Sequence, residues 1–333
     1  MGSIFERFEL ASIRRMLNNA RAVHDYSGKA ELLILLDMAK CVLKDHVGYM
    51  EYNLFHFVNK PQALRDTYLT FDYSQELFKT LNDPEYIAVF NDKLSFNKLF
   101  RDYLKRDFLD LNEASFEEFR SFVGGKEKVF GKPADSYSGK GIYRNFEIAG
   151  YSDLRDLYDY LRENHLFIED SIIQDPDMAS LHPSSINTVR VTTLLDDEKE
   201  AHVMYTILRI GTGNKSVDNV GSGGIYTVLS PEGELINPCW SDKTISTYTV
   251  HPTNNRELIG FKVPYFQEAL QLCKQAAEFE PHVRYVGWDV AITEKGPVIV
   301  EGNPLPGYDM PQNYFVTGKD SGIKPDFEAV LKI

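Results

Sequence analysis

Two carboxylates and one amide interrupt apolar sequence near the C-terminal end of the chain. Asp289 lies inside the apolar run 285–293, and Glu301 and Asn303 end the next run. Residues 294–296 predict a tight turn, so antiparallel pairing would bring Asp289 beside Glu301 and Asn303, which share one strand face. Such hard oxygen ligands suit one or two Mg²⁺ ions, with Mn²⁺ as an alternative. Carboxylates bonded to strand-end turns are the competing interpretation. Because a buried, unpaired Asp is costly, we favour the metal site.

Two arginines lie in strand-like apolar sequence further upstream. Arg190 stands in the β-branched run 187–195, and Arg209 stands near the end of the run 201–210. Asn187 lies three residues before Arg190, so the two side chains are expected on opposite strand faces. A buried arginine needs an anionic partner, which could be a phosphate, a carboxyl substrate or a structural carboxylate. We favour the functional partners for Arg190 and treat Arg209 as a second phosphate contact.

A lysine followed by a glycine-rich segment predicts a loop for anionic oxygens. The run 128–133 reads as a short strand with Lys132 near its end, and residues 134–142 include two glycines, two serines and an alanine. Such residues let backbone N–H groups crowd around phosphate oxygens, which a preceding lysine neutralises. The GK[ST] ending of a Walker A loop is absent, and a plain hairpin loop is the alternative. The candidate contacts are Ser138, Gly139 and Gly141.

A second glycine-containing loop, residues 216–226, leads into another apolar run. Gly223 and Gly224 would allow a ligand to approach the backbone closely, and Asn219 is a candidate contact to substrate or nucleotide. His251 lies in a polar loop before a proline. It is a candidate substrate contact, although a lone loop histidine is more often simply exposed to solvent.

Three stretches carry a resemblance to a known family. The strand 287–289 followed by residues 300–304 resembles the metal-binding end of ATP-grasp domains, in particular of the sugar-transfer-associated ATP-grasp family. Residues 184–191 and 221–225 also look like that family. The resemblance covers about residues 84–312 and is more specific in its second half.

The resemblance implies an α+β ATP-grasp fold, in which two α+β subdomains clamp a nucleotide. We expect an N-terminal helical region (1–82), an N-terminal subdomain (83–170) and a C-terminal subdomain (171–333). It also implies that Lys93 at a helix start reaches phosphate, and that the backbone of the strand around residues 169–172 binds adenine. The implied nucleotide contacts are Lys93, Lys132, Ser138, Gly139, Gly141, Glu169, Ser171, Ile172 and Asn187.

The activity that the resemblance implies is ATP- and Mg²⁺-dependent joining of a carboxylate to an amine through an acyl phosphate. The implied setting is cell-surface polysaccharide assembly, with an amide between an amino acid and a sugar acid or amino sugar. Two alternatives stay open at this point. The first is an ATP-grasp kinase that phosphorylates a small molecule, and the second is a non-catalytic module that binds a nucleotide or a partner.

The composition describes a globular chain of 333 residues, 43% of them hydrophobic. A net charge of -13 argues against a nucleic-acid or anionic-membrane binder. Three scattered cysteines predict reduced thiols in the cytoplasm, and neither a signal peptide nor a membrane span is expected. Residues 1–80 show helical periodicity without chemistry-bearing motifs. They resemble a helical cap, or they form a dimerisation or partner surface, so a homodimer is left open.

Overall fold

The computed structural model describes residues 10–133, 144–215 and 217–333. The helices are α1 (Leu10–Ser27), α2 (Glu31–Lys44), α3 (Tyr49–Leu54), α4 (Gln62–Arg65), α5 (Phe71–Leu81), α6 (Pro84–Asn91), α7 (Lys93–Leu99), α8 (Arg101–Leu104), α9 (Phe116–Val123), α10 (Leu154–Glu163), α11 (Pro176–Leu181), α12 (Phe266–Phe279), α13 (Tyr314–Thr317) and α14 (Lys324–Leu331). The strands are β1 (Phe108–Leu109), β2 (Lys128–Pro133), β3 (Arg144–Glu147), β4 (Leu166–Asp170), β5 (Thr188–Leu195), β6 (Ala201–Ile210), β7 (Ile225–Val228), β8 (Cys239–Ser241), β9 (Ser246–Tyr248), β10 (Tyr285–Thr293) and β11 (Gly296–Asn303).

A seven-stranded antiparallel sheet occupies most of the C-terminal half, in the order β11-β10-β5-β6-β7-β8-β9. Side chains alternate across it, as the strand period requires. Val286, Trp288 and Val290 belong to the core that also contains the buried side of α12. Tyr285 belongs to a different core on the opposite face. Asp289 is four residues beyond Tyr285, so it lies on that second face, which we call the site face.

A smaller antiparallel sheet, in the order β1-β4-β2-β3, forms a separate layer with α9 and α10. Phe119 of α9 and Leu157 and Leu161 of α10 share its core with Val129 and Phe146 from the strands. A capping box starts α9, where Ser115 and Glu118 exchange hydrogen bonds. The strand Lys128–Pro133 has the predicted bounds.

The N-terminal helices cover the site face of the large sheet. Tyr52 and Phe55 pack in one core with Tyr226 and Tyr285 of the sheet and Phe327 of α14. The helical region is therefore part of the same body as the sheet. It covers the face on which the predicted metal ligand lies, a connection that no motif in residues 1–80 indicates.

The helices α6, α7 and α8 pack on the large sheet, whereas the expected domain division grouped them with the small sheet. Phe90, Phe96 and Phe100 pack together against Trp288, on the face opposite to the site face. They belong to the core of the large sheet and not to that of the small one, although the prediction grouped 83–170 as one subdomain. The boundaries 1–82, 83–170 and 171–333 stay a prediction, which we refine by placing the start of the small unit after α8.

One buried asparagine connects the end of α5 to the strands that carry the predicted metal ligands. The Asn82 side chain donates to the carbonyls of Tyr285, at 2.9 Å, and Pro304, at 2.7 Å. It also accepts from the N–H of Tyr285 at 2.9 Å. A single side chain therefore satisfies three backbone groups where β10 begins and where the chain leaves β11.

We expect Asn82→Ala to lower the free energy of unfolding by about 2–4 kcal/mol, because it leaves three buried backbone groups without partners. Urea denaturation followed by circular dichroism measures the change. The matched control is Asn164→Ala, which removes an exposed side chain bonded to one carbonyl, that of Tyr160. A loss for Asn82→Ala no larger than that of the control would show that this junction contributes little to stability.

Candidate active site

The register of the β10–β11 hairpin brings the two predicted carboxylates together. Asp289 of β10 pairs directly with Glu301 of β11, and Gly287 pairs with Asn303. A bulge follows Asp289, so the next pair joins Val290 to Ile299. The Asn303 amide nitrogen lies 3.4 Å from a Glu301 carboxylate oxygen. The hairpin therefore juxtaposes Asp289, Glu301 and Asn303, as the sequence predicts.

Both predicted arginines converge on Asp289. Arg190 donates through Nε to one carboxylate oxygen and through Nη2, at 3.0 Å, to the other. Arg209 Nη2 lies 2.7 Å from that second oxygen. An alanine at position 287 would place its Cβ 3.0 Å from the Arg190 side chain, so the glycine makes room for the arginine. Of the partners left open for Arg190, the structure shows a carboxylate of the chain itself.

A threonine and a second aspartate extend this network. Arg209 donates to Thr188 Oγ1 at 2.7 Å, and that hydroxyl donates to Asp218 at 2.5 Å. Arg209 and Asp218 also lie 3.6 Å apart. The loop that carries Asp218 folds tightly, because a Cβ on Gly224 would lie 2.2 Å from the Asp218 carbonyl. The network thus runs from Asp218 through Arg209 and Asp289 to Arg190.

The charges in this network are unbalanced in a way that suits a cation. Burial raises the pKa of the Glu301 carboxyl, and the neighbouring Asp289 raises it further. Burial would also raise the pKa of Asp289, but Arg190 and Arg209 outweigh it and hold that pKa far below its usual range. With Asp218, three carboxylates face two guanidinium groups. A divalent cation between Asp289 and Glu301 would relieve their repulsion, so these residues fit a Mg²⁺ site.

A second buried ionic cluster joins the small sheet to β11. Lys132 of β2 lies 2.9 Å from the Glu169 carboxylate of β4, and Arg106 lies 3.2 Å from the same oxygen. Asn97 donates to it at 3.0 Å. Arg106 also donates to the carbonyl of Ile299 at 2.6 Å. Lys132 and Glu169, both predicted as nucleotide contacts, are therefore paired with each other close to β11.

The cluster around Lys132 holds more cationic groups than anionic ones. Burial lowers the pKa of Lys132, Glu169 opposes that effect and Arg106 adds to it. Burial raises the pKa of Glu169, but Lys132 and Arg106 outweigh it, so the net direction is downward. Two cations thus share one carboxylate here, which leaves an excess positive charge beside the carboxylate-rich hairpin.

The other predicted nucleotide contacts are spread more widely. Lys93 begins α7, which packs through Phe96 against Gly302 on the face opposite to the site face. Ser171 and Ile172 follow β4 outside any strand, and within the described residues their backbone N–H groups make no hydrogen bond. Ser138, Gly139 and Gly141 lie outside the described residues. These contacts stay predictions.

Two predicted contacts have all their polar atoms engaged by the protein itself. The Asn187 amide donates to the carbonyls of Met178 and His182 and accepts from the N–H of Gly211. His251 is buried, in contrast to the exposure typical of a loop histidine, and its Nε2 lies 2.8 Å from the carbonyl of Gly211. Both side chains fix the turn after β6, which is a structural role that sequence spacing cannot reveal.

The glycine-containing loop also serves the fold. Asn219 accepts from the N–H of Gly221 at 2.8 Å, as an Asx turn does, and Gly223 has a φ of +101°. Position 224 needs a glycine because the backbone of Asp218 lies against it, so the described contact is with the protein's own chain and not with a ligand. The effect of the loop on the site is indirect, because it positions the Asp218 carboxylate against Thr188.

Four residues of the two networks were not singled out in the sequence: Asn97, Arg106, Thr188 and Asp218. Thr188 lies in the stretch 184–191 that resembles the family, and Asp218 lies in the glycine-containing loop 216–226, so these two had a visible signal. Arg106 lies in an ordinary charged stretch, and its burial depends on β11, which is almost two hundred residues away in the chain.

The family comparison agrees with this geometry. A model of the sugar-transfer associated ATP-grasp family matches residues 72–318. The chain belongs to the sugar-transfer associated ATP-grasp family. The predicted α+β ATP-grasp fold, with helices before it, is confirmed. A comparison of this ATP-grasp chain with curated proteins found no match.

Solved structures show distant likeness to this ATP-grasp chain. The ATP-grasp ligase PsnB, complexed with a minimal precursor, is 14% identical over 75% of this chain and 62% of its own, with a TM-score of 0.44. The ADP complex of purK, N5-carboxyaminoimidazole ribonucleotide synthetase, is 10% identical over 72% of this chain and 52% of its own, with a TM-score of 0.43. The D-alanine-D-alanine ligase from Coxiella burnetii is 14% identical over 78% and 59%, with a TM-score of 0.39. This chain thus spans less than two thirds of the length of these structures, and the likeness carries no inference about activity.

Among the helices that the structure describes, none is long and apolar enough to cross a membrane.

Two acidic residues, Asp242 and Asp309, lie near each other, and Asp309 belongs to the loop that follows β11. Burial raises the pKa of Asp242 to about 6, and the nearby Asp309 adds to the shift. Trp240 Nε1 donates to Asp242 at 2.8 Å. Burial likewise raises the pKa of Asp309. The folded protein therefore holds a proton here more tightly than the unfolded chain does.

We expect Asp242→Asn to change how stability depends on pH. Because the folded-state pKa is raised, the stabilisation from protonated Asp242 is full below about pH 4 and is lost as the pH rises through 6. Asparagine keeps the acceptor for Trp240 without ionising. Relative to wild type, the variant should therefore gain about 2 kcal/mol between pH 4 and pH 7. Urea denaturation at each pH measures this gain.

The control is Asp159→Asn, at an exposed position of α10. A difference between variant and wild type that is constant with pH would contradict the assignment.

Proposed function

We propose that the chain is an ATP- and Mg²⁺-dependent carboxylate–amine ligase that acts through an acyl phosphate. The observation that carries this proposal is the pairing of buried Asp289 with half-buried Glu301, with two arginines on Asp289 and a lysine-containing cluster behind β11. Phosphoryl transfer needs charge stabilisation and alignment more than a nucleophile of the protein. Membership of the ATP-grasp family supports the proposal, because ATP-grasp proteins include ligases of this class.

Asp289, Glu301 and Asn303 would hold Mg²⁺ through carboxylate and amide oxygens. The ion, when bound, would neutralise charge on the β- and γ-phosphates of ATP. Glu301 contributes a carboxylate that the arginines do not engage directly among the described contacts, so it offers the freer oxygens. One or two ions would fit the carboxylate set, and Mn²⁺ is an alternative.

Arg190 and Arg209 are the proposed catalytic residues. Asp289 holds both guanidinium groups on the site face, which prepares them to face an incoming anion. One oxygen of the substrate carboxylate attacks the γ-phosphorus of ATP, the bond from that phosphorus to the β–γ bridging oxygen breaks, and ADP leaves. The arginines stabilise the negative charge on the transferring phosphoryl oxygens. An amine nitrogen then attacks the acyl carbon, phosphate leaves, and the nitrogen loses a proton to give the amide.

Lys132 is the proposed phosphate contact from the small sheet. Its ammonium is buried, and it shares Glu169 with Arg106. A nucleotide phosphate would therefore meet a cation held by Glu169, a carboxylate that Arg106 and Asn97 also contact. Lys93, the loop with Ser138, Gly139 and Gly141, and the backbone at Ser171 and Ile172 remain the proposed further contacts to ATP.

The proposed substrates are a saccharide or small-molecule carboxylate and an amine, such as an amino acid. This assignment rests on the family, which is associated with sugar transfer. The proposed setting is polysaccharide assembly on the cytoplasmic side, where ATP is available. The three cysteines, Cys41, Cys239 and Cys273, are buried free thiols, which agrees with a reducing compartment.

The test is ATP turnover with a panel of uronic acids, with hydroxylamine added to trap an acyl phosphate as a hydroxamate. We expect hydroxamate and ADP to form together for the correct acid. Asp289→Asn and Glu301→Gln should each reduce that rate by about 100-fold or more, because the metal site loses a charge. The control Glu232→Gln, at an exposed turn, should keep the wild-type rate.

Two results would contradict the proposal. Full activity in either site variant would remove the metal assignment. A stable phosphorylated product that hydroxylamine does not trap would identify a kinase instead of a ligase. Circular dichroism of each variant shows that a lost rate does not come from unfolding.

A further inference from the structure

Helix α2 presents an apolar stripe to solvent. Leu32, Leu36 and Leu43 are 69%, 59% and 76% exposed, and Ala39 between them is also exposed. The opposite side of the helix buries Ile34, Met38 and Cys41 against the rest of the protein. A helix that is apolar on both sides is expected to be covered on both sides. The exposed stripe, Leu32, Leu36, Ala39 and Leu43, is here called the α2 stripe.

The spacing of the α2 stripe is that of a two-helix seam. Its members follow one another at intervals of four, three and four residues, as in the a and d positions of a coiled coil. In an antiparallel pair of identical helices, a two-fold axis at the middle of the stripe sets Leu32 of one copy against Leu43 of the other. It also sets Leu36 against Ala39. A large side chain then meets a small one at the centre, which allows close packing.

The charges at the two ends of α2 select the antiparallel arrangement. Glu31 starts the helix and Lys44 ends it. In the antiparallel pair each Glu31 meets Lys44 of the other copy, and the helix dipoles oppose each other favourably. A parallel pair would set Glu31 against Glu31. The present partners of these residues hold them weakly. Glu31 lies 3.8 Å from Arg21 in an exposed pair, and Lys44 donates to Gln62 in a solvent-exposed hydrogen bond.

We propose that the chain forms a homodimer in which the α2 helices of two copies pack antiparallel along the α2 stripe. A lipid surface is the less favoured occupant, because the chain carries a net charge of -13 and anionic membranes would repel it. The helix has 14 residues, so it is about 20 Å long. An interface of that size is small for a permanent dimer, and a reversible dimer with a micromolar dissociation constant is expected.

The first experiment is sedimentation equilibrium of the full chain at concentrations from about 1 to 100 µM, which brackets a micromolar dissociation constant. Wild type should shift from monomer to dimer across this range, and Leu36→Asp should stay monomeric. The substitution is at an exposed position, so the fold does not depend on it. The matched control is Ile236→Asp, at a position 55% exposed on a loop of the large sheet, and it should dimerise as wild type does.

A charge exchange tests the pairing itself. Glu31→Lys and Lys44→Glu should each raise the dissociation constant about 10-fold, since two ion pairs per dimer become repulsive. The double variant restores both pairs in an antiparallel dimer and should return to within about 3-fold of wild type.

The proposal is overturned if wild type stays monomeric over the whole range, or if Leu36→Asp dimerises like wild type. Failure of the double variant to recover would equally exclude the antiparallel pairing. Co-sedimentation of monomeric wild type with vesicles of phosphatidylglycerol, abolished by Leu36→Asp, would assign the stripe to a lipid surface and also overturn the dimer.

Discussion

The structure depends on one buried carboxylate, Asp289, which lies between Arg190 and Arg209. A lone aspartate inside an apolar strand would be strongly destabilising, and two guanidinium groups offset that penalty with hydrogen bonds to both carboxylate oxygens. The glycine at position 287 leaves the room in which Arg190 reaches across the sheet. Thr188 and Asp218 then fix Arg209 from its other side. The central strands β5, β6 and β10 are thereby held together by charge as well as by backbone pairing.

The same interaction decides what the site can do. Because the arginines already neutralise Asp289, the uncompensated negative charge resides on Glu301, whose pKa is raised first by burial and then by the neighbouring Asp289. On the other side of β11, Lys132 and Arg106 share a single carboxylate and leave positive charge in excess. A site with a free carboxylate near a surplus cation is suited to a metal–phosphate ligand, which carries both signs of charge. The proposed ligase chemistry follows from this polarity.

Local patterns in the sequence predicted the elements well, since strands, helices and caps depend on neighbouring residues. The hairpin of β10 and β11 followed from two apolar runs and a turn, and its register gave the pair of Asp289 and Glu301. Long-range partners were beyond reach. Nothing near Arg190 in the sequence reports that its anion is Asp289, and the burial of Arg106 depends on a distant strand. Asn187 and His251, both predicted as ligand contacts, have backbone partners that no local pattern reports.

The N-terminal helices proved more closely connected to the site than their sequence suggests. Tyr308, in the loop after β11, donates to Glu51 of α3, and Gln312 exchanges hydrogen bonds with the backbone of Leu69. Asn82 secures the strand ends from the same side. These contacts fix the loop that follows Glu301 and Asn303. The helical region is thus a structural wall of the proposed site, while α2 faces away and leaves its stripe for a second copy.

The most direct test of the central claim is isothermal titration of ADP into wild type and Glu301→Gln, with and without Mg²⁺. If Asp289 and Glu301 hold the metal of a nucleotide site, ADP binds wild type only with Mg²⁺, and the variant binds at least about 10-fold more weakly. Unchanged, Mg²⁺-dependent binding by Glu301→Gln, or absence of binding by wild type under both conditions, would contradict the account.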